Sequence, residues 1–368
     1  MKTALLVTIL LSCFAARAGE ADYITNRYPL AKGKTLSARE NKMSYLYSTE
    51  DIPKLKENLL GTIAADMQSL PDSLNAMNTQ MNRELDLASA NTSSCNAEAL
   101  HDAILKRLGG FLIAEIERWS YTNRDLKTYG PFNVINEYGT VYSDTGVSGC
   151  CADIMKINNS LVSLDKLGHF ISHGYEYFEI SQRKTGDIFE SLHTKIGKTS
   201  IPFAAGLKGE SGALEFGHRQ EAGGWGILSS GVYSYADLAA NYDGMKFWKQ
   251  LTTGENPYFA CRNGEWRRTR EFNWSEYVSD AWDEGINCNR YSSGTVRESV
   301  ATRIKEVQSA AGKTVLTCPV EPEKCISLRA RYGDVAEKVM SPECNSARRL
   351  INEQMTTPTS AVKKRIAQ

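Results

Sequence analysis

The 368-residue chain is poor in the features that mark membrane and nucleic-acid proteins. Beyond its first few residues, no run approaches the roughly 18 apolar residues that a spanning helix needs, so no transmembrane span is expected in the mature chain. Neither sign of charge is in excess. The 43 Lys and Arg balance 43 Asp and Glu, so no nucleic-acid partner and no broad attraction to an anionic membrane is expected. The short basic end, Arg348-Arg349 and Lys363-Lys364-Arg365, reads as a solvated helix face or a frayed tail. There is no nucleotide-binding glycine loop, no G-x-S-x-G nucleophile elbow and no C-x-x-C pair, which removes three common routes to chemistry. Internal repeats and low-complexity tracts are missing too.

What is present begins with a leader-like N-terminus. Lys2 opens it, an apolar run spans Ala4 to Leu11, and Ala16-Arg17-Ala18 supplies the small-x-small pattern cut by signal peptidase. Residues 1–18 read as a signal peptide, which places the protein in the periplasm or outside the cell. Leu10-Leu11-Ser12-Cys13 also allows a lipoprotein acylated at Cys13, the weaker reading. Eight cysteines follow: Cys95, Cys150, Cys151, Cys261, Cys288, Cys318, Cys325 and Cys344. An even number in an exported chain argues for disulfides. Closeness in sequence makes Cys261–Cys288 and Cys318–Cys325 plausible, though pairings among eight cannot be deduced.

The fold class expected is mainly α, a helical core with long disulfide-stapled loops. Residues 19–50 read as an extended arm and 51–251 as the helical core domain. The segment 252–292 is a Trp- and Cys-rich loop region, and 293–368 is a C-terminal helical segment. Within the core, Leu55, Leu59, Leu60 and Ile63 make one apolar stripe, and Pro71 with Asp72 starts another helix. Leu100, Ile104, Leu108, Leu112, Ile116 and Trp119 predict a single amphipathic helix over about 98–119, with His101 on its surface. Residues 120–157 read as an irregular connection, with a short hairpin near 134–142. Helix-like pieces are expected at 201–207 and 212–220, and Ser234 is expected to cap a helix running to Leu251. Trp266, Trp274 and Trp282 suggest a satellite core beneath a disulfide-closed loop. A helix over 295–311 and the cysteine-bounded loop CPVEPEKC complete the reading.

The densest chemistry lies in Ser163 to Glu179, within a helix expected over about 160–184. At about 100° per residue, Asp165, His169, His173 and Glu176 fall within about 80° of one another. His169 and His173, four apart, can reach one ion in the manner of H-x-x-x-H zinc sites. Glu176, one turn on, adds a possible ligand. Phe170 occupies the place of the Glu in H-E-x-x-H, so a zinc protease of that kind is rejected. Zinc or another divalent metal is the cofactor implied. Glu210, Glu215, His218 and Glu221 sit among glycines. Glu215 or His218 could add a ligand or a general base if it packs against the central helix.

Asp165-Lys166-Leu167-Gly168-His169-Phe170, an acidic residue at Glu215, and Ser234-x-x-Asp237-x-x-x-Asn241-x-x-Gly244 resemble a pattern of bacterial envelope proteins. It is similar to the VanZ-like family and to small periplasmic lipoproteins of the YfiM type, over about 85 residues. The resemblance implies a helical unit whose Asp, Lys, His, acidic and Asn residues converge between helices, and it carries no settled activity. VanZ-like members place these helices in a membrane, for which this segment is too polar, and His173 is additional to the pattern. Separately, Glu210-Ser211 followed by Gly226-Ile227-Leu228 resembles the E-S…G-L-M-Q signature of lysozyme-like lytic transglycosylases, with Glu210 as acid and base. Leu-Ser replaces Met-Gln there.

The expected function is therefore an exported bacterial envelope protein, in its sharpest form a metal-assisted hydrolase. His169, His173 and Glu176 would be ligands, Glu176 or Glu215 a general base, and Asp165 would orient His169 or Lys166. Its partner would be an envelope component, peptidoglycan or lipid-linked. Two alternatives stand beside it: a lysozyme-like peptidoglycan lytic enzyme using Glu210, and a non-catalytic structural or binding protein in which the same residues form a buried polar network.

Overall fold

The computed structural model describes residues 70–92, 94–110, 114–123, 125–128, 154–183, 206–223, 225–227, 231–291, 318–319 and 321–347. The signal peptide, the arm at 19–50, the 55–63 stripe, the hairpin at 134–142, Cys150 and Cys151, most of the 201–207 piece, the 295–311 helix and the basic end lie outside these residues. Within them, helix predominates, three disulfides form, and no helix is long and apolar enough to cross a membrane.

Helix α1, Leu74–Ala90, buries Met77, Met81, Leu85 and Ala88 along one stripe, the spacing of an amphipathic helix. Asp72, just ahead of it, accepts from Leu74 N–H at 2.8 Å. Helix α2, Ala97–Leu108, starts at Asn96, whose side chain accepts from Ala99 N–H, and carries Lys106 and Arg107 in its last turn. The helix expected over 98–119 divides here. Gly109 and Gly110 end α2, because paired glycines pay the largest backbone entropy for staying helical, and the chain restarts as α3, Glu115–Thr122. His101 is not on the surface: it is buried edge-on to Tyr175, Phe178 and Trp248.

The second departure is a hairpin. Strands β1, Ile154–Ile157, and β2, Ser160–Ser163, pair antiparallel, with Ile154 opposite Ser163. They are joined by Asn158 and Asn159, both at positive φ. Two left-handed residues make the turn that matches strand twist, and Asn tolerates that region better than most residues. Asp72 clasps the tip, accepting from Asn158 N–H at 3.1 Å and Asn159 N–H at 2.6 Å. The central helix therefore begins after Leu164 and not at Ser160.

That helix, α4, runs as α over Asp165–Gly168, widens to π over His169–His173, and returns to α over Gly174–Gln182. Helix α5 spans Gly209–Glu221, β3 Val232–Tyr233, and α6 Tyr235–Gln250, capped as expected by Ser234 Oγ, which accepts from Asp237 N–H at 3.2 Å. Helices α4 and α6 cross at two glycines. A Cβ on Gly174 would lie 2.6 Å from Gly244 Cα, and one on Gly244 would lie 2.0 Å from the Phe170 carbonyl oxygen. Only hydrogen at both positions lets the two backbones approach this closely.

Beyond α6, β4 (Phe259–Arg262) and β5 (Glu265–Arg268) form a hairpin, and β6 (Arg290–Tyr291) pairs with β3. The C-terminal helices are α7, Pro322–Tyr332, α8, Ala336–Val339, and α9, Pro342–Asn345. Trp274 and Trp282 do not form a satellite core. They are fully buried in the same cluster as Phe170, Phe247 and Phe272, with Phe170 to Trp274 centroids 4.9 Å apart. Asp243 ties α6 to this region, accepting from Trp282 Nε1 at 3.1 Å and Tyr332 Oη at 2.7 Å.

The disulfides correct both expected pairings: Cys95 bonds Cys261, Cys288 bonds Cys318 and Cys325 bonds Cys344. Sequence closeness misleads because β4–β5 folds back onto the start of α2, 166 residues earlier, where Trp266 Nε1 also donates to Asn96 O.

Candidate metal centre

Close crossing of α4 and α6 sets their polar faces against each other. Lys166, fully buried, pairs with Asp165 Oδ2 at 2.9 Å, with Glu284 Oε1 at 2.6 Å and with Asp237 Oδ1. His169 lies beside this knot. Its Nε2 is 3.1 Å from Asp237 Oδ2 and its Nδ1 is 3.0 Å from Asn241 Oδ1. Ser163, the last residue of β2, donates to Asp165 Oδ1. Asp237 and Asn241 share a face of α6 one turn apart, which is why both reach one imidazole.

Ligand atoms of Asp165, His169 and Asp237 lie within 4.8 Å of one another, and all three residues are buried. This is the group among the described residues that could hold a metal ion. It differs from the set read from helical spacing. His173 and Glu176 are outside it, bonded instead to each other, His173 Nδ1 to Glu176 Oε2 at 2.8 Å. The π turn is the local cause: Gly174 N–H bonds His169 O, an i→i+5 bond, so spacing computed for a regular α-helix does not hold through His173.

Acids outnumber bases here. Asp165, Asp237, Glu221 and Glu284 are buried, half-buried Glu117 of α3 adds its field, and the basic side chains are Lys166 and His169. Burial, opposed by Lys166 and reinforced by Asp165 and Asp237, pushes Glu284 up to about 8. Burial and then Asp237 hold Glu221 well above the carboxylate range, although it accepts from Ser234 N–H at 3.0 Å. Burial and Asp165 do the same to Glu117, and burial raises Asp165 against the pull of Lys166. Asp237 alone is held below its ordinary value: burial works against this, but His169 and Lys166 outweigh it. Buried charge must be paired or neutralised. The cluster meets that demand by keeping protons or by taking up a cation.

Other residues singled out by the sequence fall elsewhere. Glu215 is half exposed and pairs with Arg219 on its own helix at 3.0 Å, so it does not pack against α4. Glu210 is exposed too, accepting from Tyr242 Oη at 3.0 Å and pairing with Lys249 at 3.2 Å. Neither is a base or acid in the cluster. His218 is half-buried and bonds Tyr233; burial, with Lys338 nearby, lowers its pKa. Glu284, Glu221 and Glu117 are the cluster members that sequence reasoning did not place there. Nothing local marks Glu284, which follows Lys166 by 118 positions and arrives only because the 252–292 region folds over α6.

No family model, no curated protein and no solved structure matches the chain.

Proposed function

We propose that this chain is an exported metalloprotein of the bacterial envelope, in which Asp165, His169 and Asp237 hold a divalent cation, zinc or a similar ion, for hydrolysis of an envelope component. The observation that carries this reading is the His169–Asp237 contact at 3.1 Å. With Asn241 Oδ1 accepting from His169 Nδ1, Nε2 turns a lone pair to a carboxylate oxygen, and a cation between the two would satisfy both. Two carboxylates and one imidazole supply ligand types that zinc takes, in the number found at catalytic zinc sites.

Asn241 serves as the partner behind the ligand, orienting the ring as such partners do in metal sites. Lys166, itself paired with Glu284, holds Asp165 and Asp237 in place. An ion bound there supplies Lewis acidity and a water acidic enough to attack at neutral pH. The three disulfides fit an oxidising compartment.

One observation favours a second, non-catalytic reading. Lys166 already gives three carboxylates a counter-charge, and such a network can serve only to fix helix packing. One experiment separates the two. Protein purified from the periplasm is analysed for metal and melted with and without chelator, wild type beside His169→Ala and Asp237→Asn. About one equivalent of metal, lost in both variants, supports the metalloprotein. No metal in wild type and no change in chelator leaves the packing network.

A further inference from the structure

We infer that Tyr177 is a positioning residue of the metal centre: its hydroxyl takes the nitrogen end of the Asn241 amide when His169 holds the ion, and so keeps Asn241 Oδ1 on the imidazole. The inference rests on the metalloprotein reading and extends the site one residue behind Asn241.

Three helices meet at this side chain. Tyr177 lies on α4 and is fully buried. Its hydroxyl end occupies the space beside Gly217 of α5 that a β-carbon would fill, with Cζ 2.6 Å from that point. Only hydrogen at Gly217 leaves room for it. Leu238 Cδ2 of α6 is 3.0 Å from the same point, so the tip of the phenol sits against Leu238. Asn241 follows Leu238 by three positions and shares its face of the helix. The hydroxyl is thus delivered to the face of α6 that carries the partner of His169.

A hydroxyl sealed from water needs a partner. No hydrogen bond of ordinary geometry closes on Tyr177 Oη here, and the side chain within its hydrogen-bonding reach is Asn241. Burial raises the phenol above its ordinary range, and Asn241 opposes that rise, as a donor to the oxygen does. The donor is the amide nitrogen, because Asn241 Oδ1 is taken by His169 Nδ1 at 3.0 Å. An ion fixes this arrangement. With metal on Nε2 the ring proton stays on Nδ1, Oδ1 must accept it, and Nδ2 must point the other way, towards Tyr177. Without the hydroxyl that nitrogen meets an apolar surface. Turning the amide over would relieve it only by setting an N–H against the Nδ1 proton.

The test measures zinc(II) binding by the full mature protein, in competition with a chromophoric chelator. Tyr177→Phe removes one oxygen and should lower zinc affinity about tenfold, the lower end of what a partner behind a ligand contributes. Its melting temperature in chelator should stay close to wild type, since the ring still fills its place. Tyr175→Phe alters a buried tyrosine of the same helix that packs against Trp248 instead, and it should leave affinity within about twofold. Because Tyr177 acts through Asn241, Tyr177→Phe should add no more than about twofold in an Asn241→Ala background. Nitrogen NMR of the zinc form should show the Nδ1 proton of His169, exchanging with water faster in Tyr177→Phe than in wild type. Wild-type affinity and exchange in Tyr177→Phe would overturn the inference. So would a tenfold loss that persists undiminished in Asn241→Ala, which would make the effect one of packing. Failure of the wild type to bind zinc is the different result that removes the metalloprotein reading, and this inference with it.

Discussion

His169 Nε2 and Asp237 Oδ2 stand 3.1 Å apart across the interface of α4 and α6, although 68 positions separate them in the chain. Their meeting depends on the glycine crossing, on the cap at Ser234 that starts α6, and on the π turn that re-aims α4.

Lys166 is a counter-charge shared by three buried carboxylates. Lys166→Met should cost about 3–5 kcal/mol in urea unfolding, because removing one partner leaves the other charges buried and uncompensated. A loss under about 1 kcal/mol would show that the carboxylates are already protonated in the fold.

Gly244→Ala places a methyl 2.0 Å from the Phe170 carbonyl oxygen. Backbone cannot yield as a side-chain tip does, so α4 and α6 must part. A destabilisation of about 1–3 kcal/mol or more is expected, together with weakened metal uptake, since His169 and Asp237 sit on the two separated helices. Wild-type stability in this variant would mean that α4 and α6 can part at the crossing without cost.

The raised carboxyls give stability a pH dependence with a definite sign. Glu284 moves from 4.5 to about 8 on folding, so the folded state holds a proton that the unfolded state has released. Its contribution is fully present below about pH 4.5 and is lost as pH rises through about 8. Glu221 and Glu117, raised in the same direction, steepen the decline. Asp237, held low, acts oppositely, and its contribution disappears as pH falls below the ordinary Asp range. In chelator, denaturant melts should show stability falling from pH 5 to 8 by up to about 1.4 kcal/mol per unit for each group, and Glu284→Gln should flatten that slope. A slope unchanged by Glu284→Gln would assign the dependence to another group.

Among the described residues, Cys95–Cys261 closes the longest disulfide loop. Replacing both cysteines with serine should cost about 2–5 kcal/mol and loosen the β4–β5 hairpin from α2, seen as faster amide exchange in both. By contrast, Glu210→Ala and Glu215→Ala, on exposed helix faces, should stay within about 0.5 kcal/mol of wild type and leave metal uptake unaltered. A large effect at Glu215 would return it to the centre.

Short-range physics made much of this legible in advance. Pro71 with Asp72 marked the start of α1, apolar spacing marked α2, Ser234 marked the start of α6, and the 212–220 piece corresponds to most of α5. Four-residue spacing singled out Asp165 and His169, and the envelope-protein pattern singled out Lys166, Asp237 and Asn241, all of which meet in the cluster. These features depend on residues within about one or two helical turns of each other, where sequence order and distance in space agree.

Elsewhere the two part company. The Asn158-Asn159 hairpin needed Asp72, more than eighty positions earlier, to hold its tip. The disulfide partners, the burial of His101 and the arrival of Glu284 beside Lys166 depend on chain reversals that no local spacing records. A π turn and a pair of glycines decided which of two evenly spaced histidines faces the carboxylates. The sequence by itself determined which side chains could carry the chemistry. Only tertiary packing decided their number, their charge balance and their partners, because those are set by distances between segments far apart in the chain.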